Sequence, residues 1–374
     1  MGDNALNRST VTNKTSGRNY GLDLLKIVIM FCIVLFHFND HGNVKLSAEM
    51  PLTLNWIALA FVSIFGAIGN CIFIFITGYF LCEKNFRIRR LSLLWAQVFF
   101  YSVLCRIITI AAGIDPLNIK MLVKTLTPVA FNRYWYFSAY VVILIASPFL
   151  NLIIRNLSQR QHFWLCVALL ILFSVIPTVT KGSWFGGEIG KENYLKIFIT
   201  LYFVAAYIKF YGIRIIKKQS VYLMLTIALI ALEILSIFAI RFVSILLHHD
   251  FSLIAFTWGM DKINIIAVSI SIFMLFKGMN IKGNKALASI SASTFSIYLL
   301  HVGTWRLVFG VIFNNELTYN TPWMIPQMFM CAISVCVVAI AVDKIRIYML
   351  EKPLIKILDK IPVGQKIDGL FGKI

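Results

Sequence analysis

Residues 21–38, GLDLLKIVIMFCIVLFHF, decide the fold. The stretch is apolar enough to enter a bilayer, yet it carries Asp23, Lys26 and His37. Ionisable groups inside such a span are costly, so each marks a functional position. Lys26 and His37 stand close to three helical turns apart, so they point the same way, about 16.5 Å from each other along the axis. Asp23 precedes Lys26 by one turn on the same face. One helix face thus carries an ion pair near one membrane surface and an imidazole near the other. That pattern points to a polar path through the membrane with a proton-handling group at its far end.

The rest of the chain agrees with a bilayer setting. Hydrophobic residues make up 59% and charged residues 14% of the sequence, and many apolar runs reach 18 residues or more, which excludes a soluble domain with a large core. The first twenty residues are polar and basic (Arg8, Lys14, Arg18). No small-residue cleavage site follows the first apolar run, so it reads as a retained helix and not a signal peptide. The seven cysteines, at 32, 71, 82, 105, 166, 331 and 336, fall in or at the ends of apolar spans without CxxC spacing. They are expected as buried free thiols, with no metal site and no disulfide framework.

Ten spans are expected, at 21–38, 56–82, 91–112, 135–154, 162–179, 194–211, 220–247, 251–276, 286–313 and 325–350. Lys196 and Lys209 weaken the sixth, and Asp261 and Lys262 interrupt the eighth, for which a later start after a longer loop is the alternative. With the N-terminus inside, the inner segments hold 23 of the 35 Lys and Arg, the outer loops six and the spans six. The positive-inside rule therefore supports both termini in the cytoplasm and accounts for the net charge of +19 without nucleic acid. The fold class is all-α, a polytopic membrane bundle of about ten helices. Its expected parts are a cytoplasmic segment 1–20, a membrane domain 21–351 and a basic amphipathic cytoplasmic tail 352–374. In that tail Leu354, Ile357, Leu358 and Ile361 share one face. The longest outer loop, 113–134, carries turn signals at Asp115-Pro116 and Pro128.

Several polar groups stand out along the spans. The second span ends FIFITGYFLCEK, with Thr77, Gly78 and Tyr79 near the inner surface. These either pack helices closely through a missing side chain or offer hydroxyls to a ligand. Arg87, Arg89 and Arg90 follow in one short inner loop, either a topology signal or a clamp on an anionic cofactor. Arg106 lies inside the third span and needs a partner, for which Glu233 in the seventh span is a candidate. Together with Arg241, these residues form an expected intramembrane charge network. The run Arg133-Tyr134-Trp135-Tyr136 reads best as an interfacial aromatic belt with a snorkelling Arg. Ser147-Pro148 predicts a kink. The ninth span opens SISASTFSIYLLHV, placing Ser293, Ser296, Tyr298 and His301 in its inner half, with Tyr298 and His301 on one face. Polar packing between helices and a ligand site both fit that pattern. Arg306 further along needs a partner.

Read together, these motifs resemble the acyltransferase family 3 membrane proteins, which modify surface polysaccharides. The family pattern is a basic residue, ten residues and a His, with an Asp shortly before. Here Lys26 stands where Arg is usual, and His37 matches. Thr77-Gly78-Tyr79 looks like the family's Ser-Gly motif. The Ser296-x-Tyr298-Leu-x-His301 signature is similar to one in a late helix, and Glu351-Lys352-Pro353 resembles the family's Glu-x-Pro end.

The resemblance implies a multi-pass protein of the bacterial cytoplasmic membrane that moves an acyl group, usually acetyl, from cytoplasmic acyl-CoA to a hydroxyl of an extracytoplasmic polysaccharide or glycolipid sugar. It implies no metal, and no added SGNH domain follows the last helix. His37 is the expected catalytic group, either as general base or as an acylated intermediate, with Asp40 orienting its ring. Asp23, Lys26, Thr77, Gly78, Tyr79, Arg87, Arg89, Arg90, Ser296, Tyr298 and His301 are expected to hold the acyl-CoA. Lys in place of Arg keeps charge steering at position 26 but loses two-pronged contact. The competing reading is a transporter, flippase or polymerase for lipid-linked sugars. It predicts inverted repeats and helix breaks at matching positions, which the sequence does not display.

Overall fold

The computed structural model describes residues 17–180, 194–213, 215–358 and 360. Arg8, Lys14 and the tail beyond Lys360, with its expected Ile361, lie outside the described residues. Among those described, every regular element is helical, and nine helices are long and apolar enough to cross a membrane.

Helix α1 (Tyr20–Asp40) is the hub. The Asn19 side chain accepts a hydrogen bond from the Leu22 backbone N–H, which caps the helix and satisfies an otherwise orphaned donor. Asp23 in the first turn faces the positive end of the helix dipole. Leu22, Leu25, Ile29, Val34 and Phe38 are buried against neighbouring helices. The chain returns through α2 (Leu54–Ser63) and α3 (Phe65–Leu81), interrupted at Ile64. Gly66 lets α3 approach α1 closely, because a Cβ there would lie 2.7 Å from the Phe36 ring. Small residues at such crossings supply the close packing on which helix association in lipid depends.

Helix α4 (Ile88–Ala111) leads to the segment 113–134, which the sequence reads as an outer loop. It contains the short helix α5 (Ile119–Leu126), capped by the Asn118 side chain. Helix α6 (Trp135–Asn156) runs on through Pro148. Next come α7 (Gln159–Leu170), a π turn at Ile171–Val175 and α8 (Ile176–Val179), then α9 (Tyr194–Tyr211) and the largely lipid-facing α10 (Gln219–Leu246).

The expected span 251–276 contracts to α11 (Ile263–Lys277), a 15-residue apolar helix. Residues 248–262 are instead irregular, and Asp261 and Lys262 are buried there. Lys262 Nζ donates to the Pro177 carbonyl at 3.2 Å, which holds it in the extended backbone just before the helix. The ninth span is broken: α12 (Lys285–Ala292) and α13 (Thr294–Gly303) meet at Ser293, and a second break at Thr304 precedes α14 (Trp305–Leu307) and a π turn. These breaks were not visible in the sequence. Helix α15 (Met324–Arg346) continues through a π turn into α16 (Lys352–Leu358).

Contacts between helix ends sort the bundle into two faces. On one, Asn151 donates to the Leu81 carbonyl, Lys209 pairs with Glu83 at 3.0 Å, and Gln219 donates to Leu275. On the same face Arg18 and Lys344 reach the carbonyls of Ala288 and Ser289. The start of α1 and the end of α15 therefore share a face, while Asp40 lies at the other.

Candidate functional site

His37 on α1 meets His301 on α13. His301 Nε2 lies 3.1 Å from His37 Nδ1, and His301 Nδ1 lies 2.6 Å from the Ile297 carbonyl oxygen. That carbonyl can only accept, so His301 carries its proton on Nδ1. His301 is fully buried, and a buried uncompensated charge is costly, so the ring is neutral and its Nε2 is an acceptor. His37 Nδ1–H must then donate to it, which leaves the lone pair of His37 on Nε2. Two hydrogen bonds thus fix the tautomer in which His37 is a base. His41 stacks on His37 at 4.8 Å and 8°, with Trp305 against its other side at 4.8 Å.

Helix α1 does extend to Asp40, as the orienting role assumed. The Asp40 carboxylate lies 3.5 Å from His41 Nδ1, and His37 Nδ1 donates to His301 Nε2. His301, expected to bind cofactor, is thus hydrogen-bonded to His37. His37, Asp40 and His41 present ligand atoms within 4.8 Å of one another, the residues here that could hold a metal ion, although the sequence pointed to none.

One and a half turns before His301, Ser296 Oγ donates to Asp343 Oδ1 at 2.6 Å and accepts from Gln97 Nε2 at 2.9 Å. Arg346 donates to Asp343 at 2.9 Å and reaches Glu351 at 2.7 Å. Both members of the Asp343–Arg346 pair are buried. Gln97 and Glu351 also line a cavity of about 760 Å³ together with Arg87, Arg89 and Arg90. Arg90 additionally donates to the Tyr140 hydroxyl at 2.7 Å. This cavity's wall bears four basic side chains (Lys84, Arg87, Arg89, Arg90) against two acidic ones (Glu83, Glu351). Tyr298 stands on α13 between Ser296 and His301, and its buried hydroxyl has no hydrogen-bond partner among the described residues. The Tyr134 and Tyr136 rings pack on Tyr298 at 6.1 and 5.9 Å, and their buried hydroxyls are also unpartnered.

Asp23 and Lys26 form a separate cluster. Ser291 Oγ donates to Asp23 at 2.6 Å, Lys26 Nζ at 3.1 Å and Arg18 Nε at 2.5 Å. The Asp23 carboxylate holds the Arg18 guanidinium above its ordinary pKa. The cluster ties α1 to α12, and neither Asp23 nor Lys26 lines the basic cavity.

Other expected roles change. Gly78 faces a neighbouring helix, because a Cβ there would sit 3.0 Å from Tyr202 Cα and from Ala205 Cβ of α9. Tyr79 next to it lies under Lys209 and Lys277 at 4.7 and 5.5 Å, and Thr77 is half-buried on the same turn. None of these three lines the basic cavity. The Arg106–Glu233 pair does not form. Arg106 pairs with Asp115 from the outer segment, which also takes Arg306 at 3.3 Å, and Glu233 accepts from Asn264 at 2.8 Å. Arg241 donates to the Met50 carbonyl at 2.7 Å and lies over Trp56. Three independent pairings replace the expected network. Arg133 does not snorkel, since it donates to Ser102 and Thr125 at 2.9 and 3.1 Å, and Tyr134 is fully buried rather than interfacial.

Gln97, Asp343 and Arg346 escaped the sequence reading. Asp343 and Arg346 stand one helical turn apart, an ion-pair spacing that a closer look at the last span would have caught. Gln97 carries no charge and gives no such signal.

A half-buried histidine with a fixed tautomer thus contacts the same helix, α13, that carries a serine hydrogen-bonded to the wall of a basic cavity, an arrangement of the kind a membrane-embedded enzyme needs. The family model described as an acyltransferase domain (Acyl_transf_3) matches residues 19–341, and the chain belongs to that family. It is an integral-membrane acyltransferase. No curated protein and no solved structure matches it.

Proposed function

We propose that the protein is an O-acyltransferase, in its usual form an acetyltransferase. It takes the acyl group from cytoplasmic acyl-CoA and delivers it to a hydroxyl of an extracytoplasmic polysaccharide or glycolipid sugar. The observation that carries this reading is the His37–His301 hydrogen bond on the same helix as Ser296, which is hydrogen-bonded to Gln97 at the wall of the basic cavity. The excess of Lys and Arg at that end supports placing it in the cytoplasm, where CoA is available.

Arg87, Arg89 and Arg90 suit the CoA phosphates, which a guanidinium binds through two parallel hydrogen bonds. The thioester arm would pass Gln97 and Ser296 and follow α13. Ser296 and His301 are about 7.5 Å apart along the helix, a short step from the cavity wall to the histidine pair. There His37 Nε2 takes the proton of the acceptor hydroxyl as the oxygen attacks the thioester carbon. The C–S bond breaks, and the CoA sulfur leaves with the proton that the imidazole held. The products are an ester and free CoA thiol. The same lone pair would serve a two-step route through an acyl-imidazole.

The test is made in cells that express wild type or His37→Ala at matched membrane levels. Mass spectrometry of the surface glycans should find added acetyl with wild type only. Acetyl with both would remove His37 from the chemistry. Altered glycan amount or chain length, with no acyl change in either, would favour export or polymerisation.

A further inference from the structure

A second cavity, of about 340 Å³, opens at the Asp40 end of α1, across the bundle from the basic one. Its wall is formed by the outer end of α1 and by the irregular segment 248–262. Phe36 and Asp40, which flank His37 in the helix, both line it. Phe36 packs on His37 at 5.0 Å and on Trp258 at 5.7 Å. The cavity therefore adjoins the histidine pair across one aromatic ring.

We infer that this cavity is the acceptor subsite, and that it takes an uncharged sugar with Trp258 as stacking platform and Asn39 and Asp250 as hydroxyl partners. The inference rests on the acyl-transfer reading and narrows its acceptor. Trp258 is 46% exposed at the cavity wall, so that, beside its contact with Phe36, it presents a large apolar face to the cavity. Sugars offer just such a mixture of apolar C–H faces and hydroxyl edges, which sites with aromatic walls and a few placed polar groups recognise. Asn39 also lines the cavity, is 7% exposed, and its Oδ1 has no hydrogen-bond partner. A buried acceptor without a donor is costly, and a sugar hydroxyl would supply the donor. Asp250 adds an exposed carboxylate, which accepts strong hydrogen bonds from hydroxyls.

Charge decides the sugar class. The cavity has two carboxylates, Asp40 and Asp250, against one ammonium, Lys45, and that ammonium is held by the Asp40 backbone carbonyl. The donor cavity has the opposite sign. A uronate or a phosphate-bearing residue would meet like charge here, which disfavours binding.

The experiment uses the full chain in cells, as wild type, Trp258→Ala, Trp258→Phe and Asp250→Asn. Membrane levels and detergent melting temperatures of the variants are matched to wild type. Acetyl is located by mass spectrometry, separately in the solvent-extractable lipid fraction and in the polymer fraction, so that a glycolipid acceptor is told from a polysaccharide. The expected result is acetyl on an uncharged sugar, with occupancy lowered at least tenfold by Trp258→Ala and by Asp250→Asn. Trp258→Phe should stay within threefold of wild type. Acetyl on a uronate or phosphate-bearing residue, or wild-type occupancy in Trp258→Ala, would overturn the inference alone. No acetyl with wild type would overturn the acyl-transfer reading and the inference with it.

Discussion

At the scale of single residues, the chemistry turns on which nitrogen of His37 holds the proton. The Ile297 carbonyl and His301 together settle that it is Nδ1. His37→Ala should lower the rate by about 10²–10⁴, the usual contribution of a positioned base. His301 acts through His37 and is a positioning residue. In His301→Leu the part-buried Nδ1–H of His37 loses its acceptor, which costs up to about 1–3 kcal/mol, and the tautomer is no longer fixed. His301→Gln offers a carbonyl oxygen in its place. The expected order of transfer rates is wild type, then Gln, then Leu, with Leu at least tenfold down at unchanged membrane level. Equal rates for Gln and Leu would show that His301 merely fills space. The dependence of kcat/KM on pH provides a second check. Protonation removes the His37 lone pair, so activity should fall on the acid side and level off as pH rises. A profile with no acid limb would contradict the base role.

At the scale of elements, two contacts carry the arrangement that presents these residues. Helices α3 and α9 touch at Gly78, where any side chain collides with the Tyr202 backbone. Gly78→Val should destabilise the bundle by about 1–3 kcal/mol through overpacking, read as a lower melting temperature in detergent. A variant that melts like wild type but loses acyl-CoA binding would return Gly78 to the cofactor site. The junction of α13 and α15 depends on Asp343, which accepts from Ser296 of α13 and is paired with Arg346 of its own helix. Asp343→Ala leaves a buried guanidinium with Glu351 as its remaining carboxylate and should cost about 3–5 kcal/mol. If stability is unchanged, the pair is not holding the junction.

The elements also show what a sequence can reveal. Lys26, His37, Tyr298 and His301 were legible because polar groups in apolar runs are conspicuous and helical spacing sets their faces. The pairing of His37 with His301 was not, because nothing local records which helices touch. Arg106 illustrates the same limit. Its partner Asp115 lies in the segment between α4 and α6, where it reads as a turn residue, while Glu233 stands out inside an apolar span and is satisfied by Asn264. The break at Ser293 was equally silent, since serines are as common inside membrane helices as at their interruptions.

At the scale of the whole molecule, two cavities of opposite charge lie at opposite ends of α1, and the histidine pair lies between them. This layout predicts that donor and acceptor sites fail separately. Arg87→Ala or Arg89→Ala should raise the KM for acetyl-CoA roughly ten- to hundredfold, for the loss of a charge-assisted hydrogen bond worth about 1.5–3 kcal/mol. Added salt should weaken the wild type towards the variants, as screening does for exposed charges. An unchanged KM would leave these arginines as topology signals only.

The layout also makes transfer vectorial, and that is the central claim. Sealed inside-out membrane vesicles expose the cytoplasmic face to the medium, so labelled acetyl-CoA added outside reaches that face alone. With wild type, label should accumulate on glycan inside the lumen, out of reach of an esterase in the medium, and His37→Ala should give none. Label found only on the face that received the donor, or the same luminal label with His37→Ala, would contradict the account.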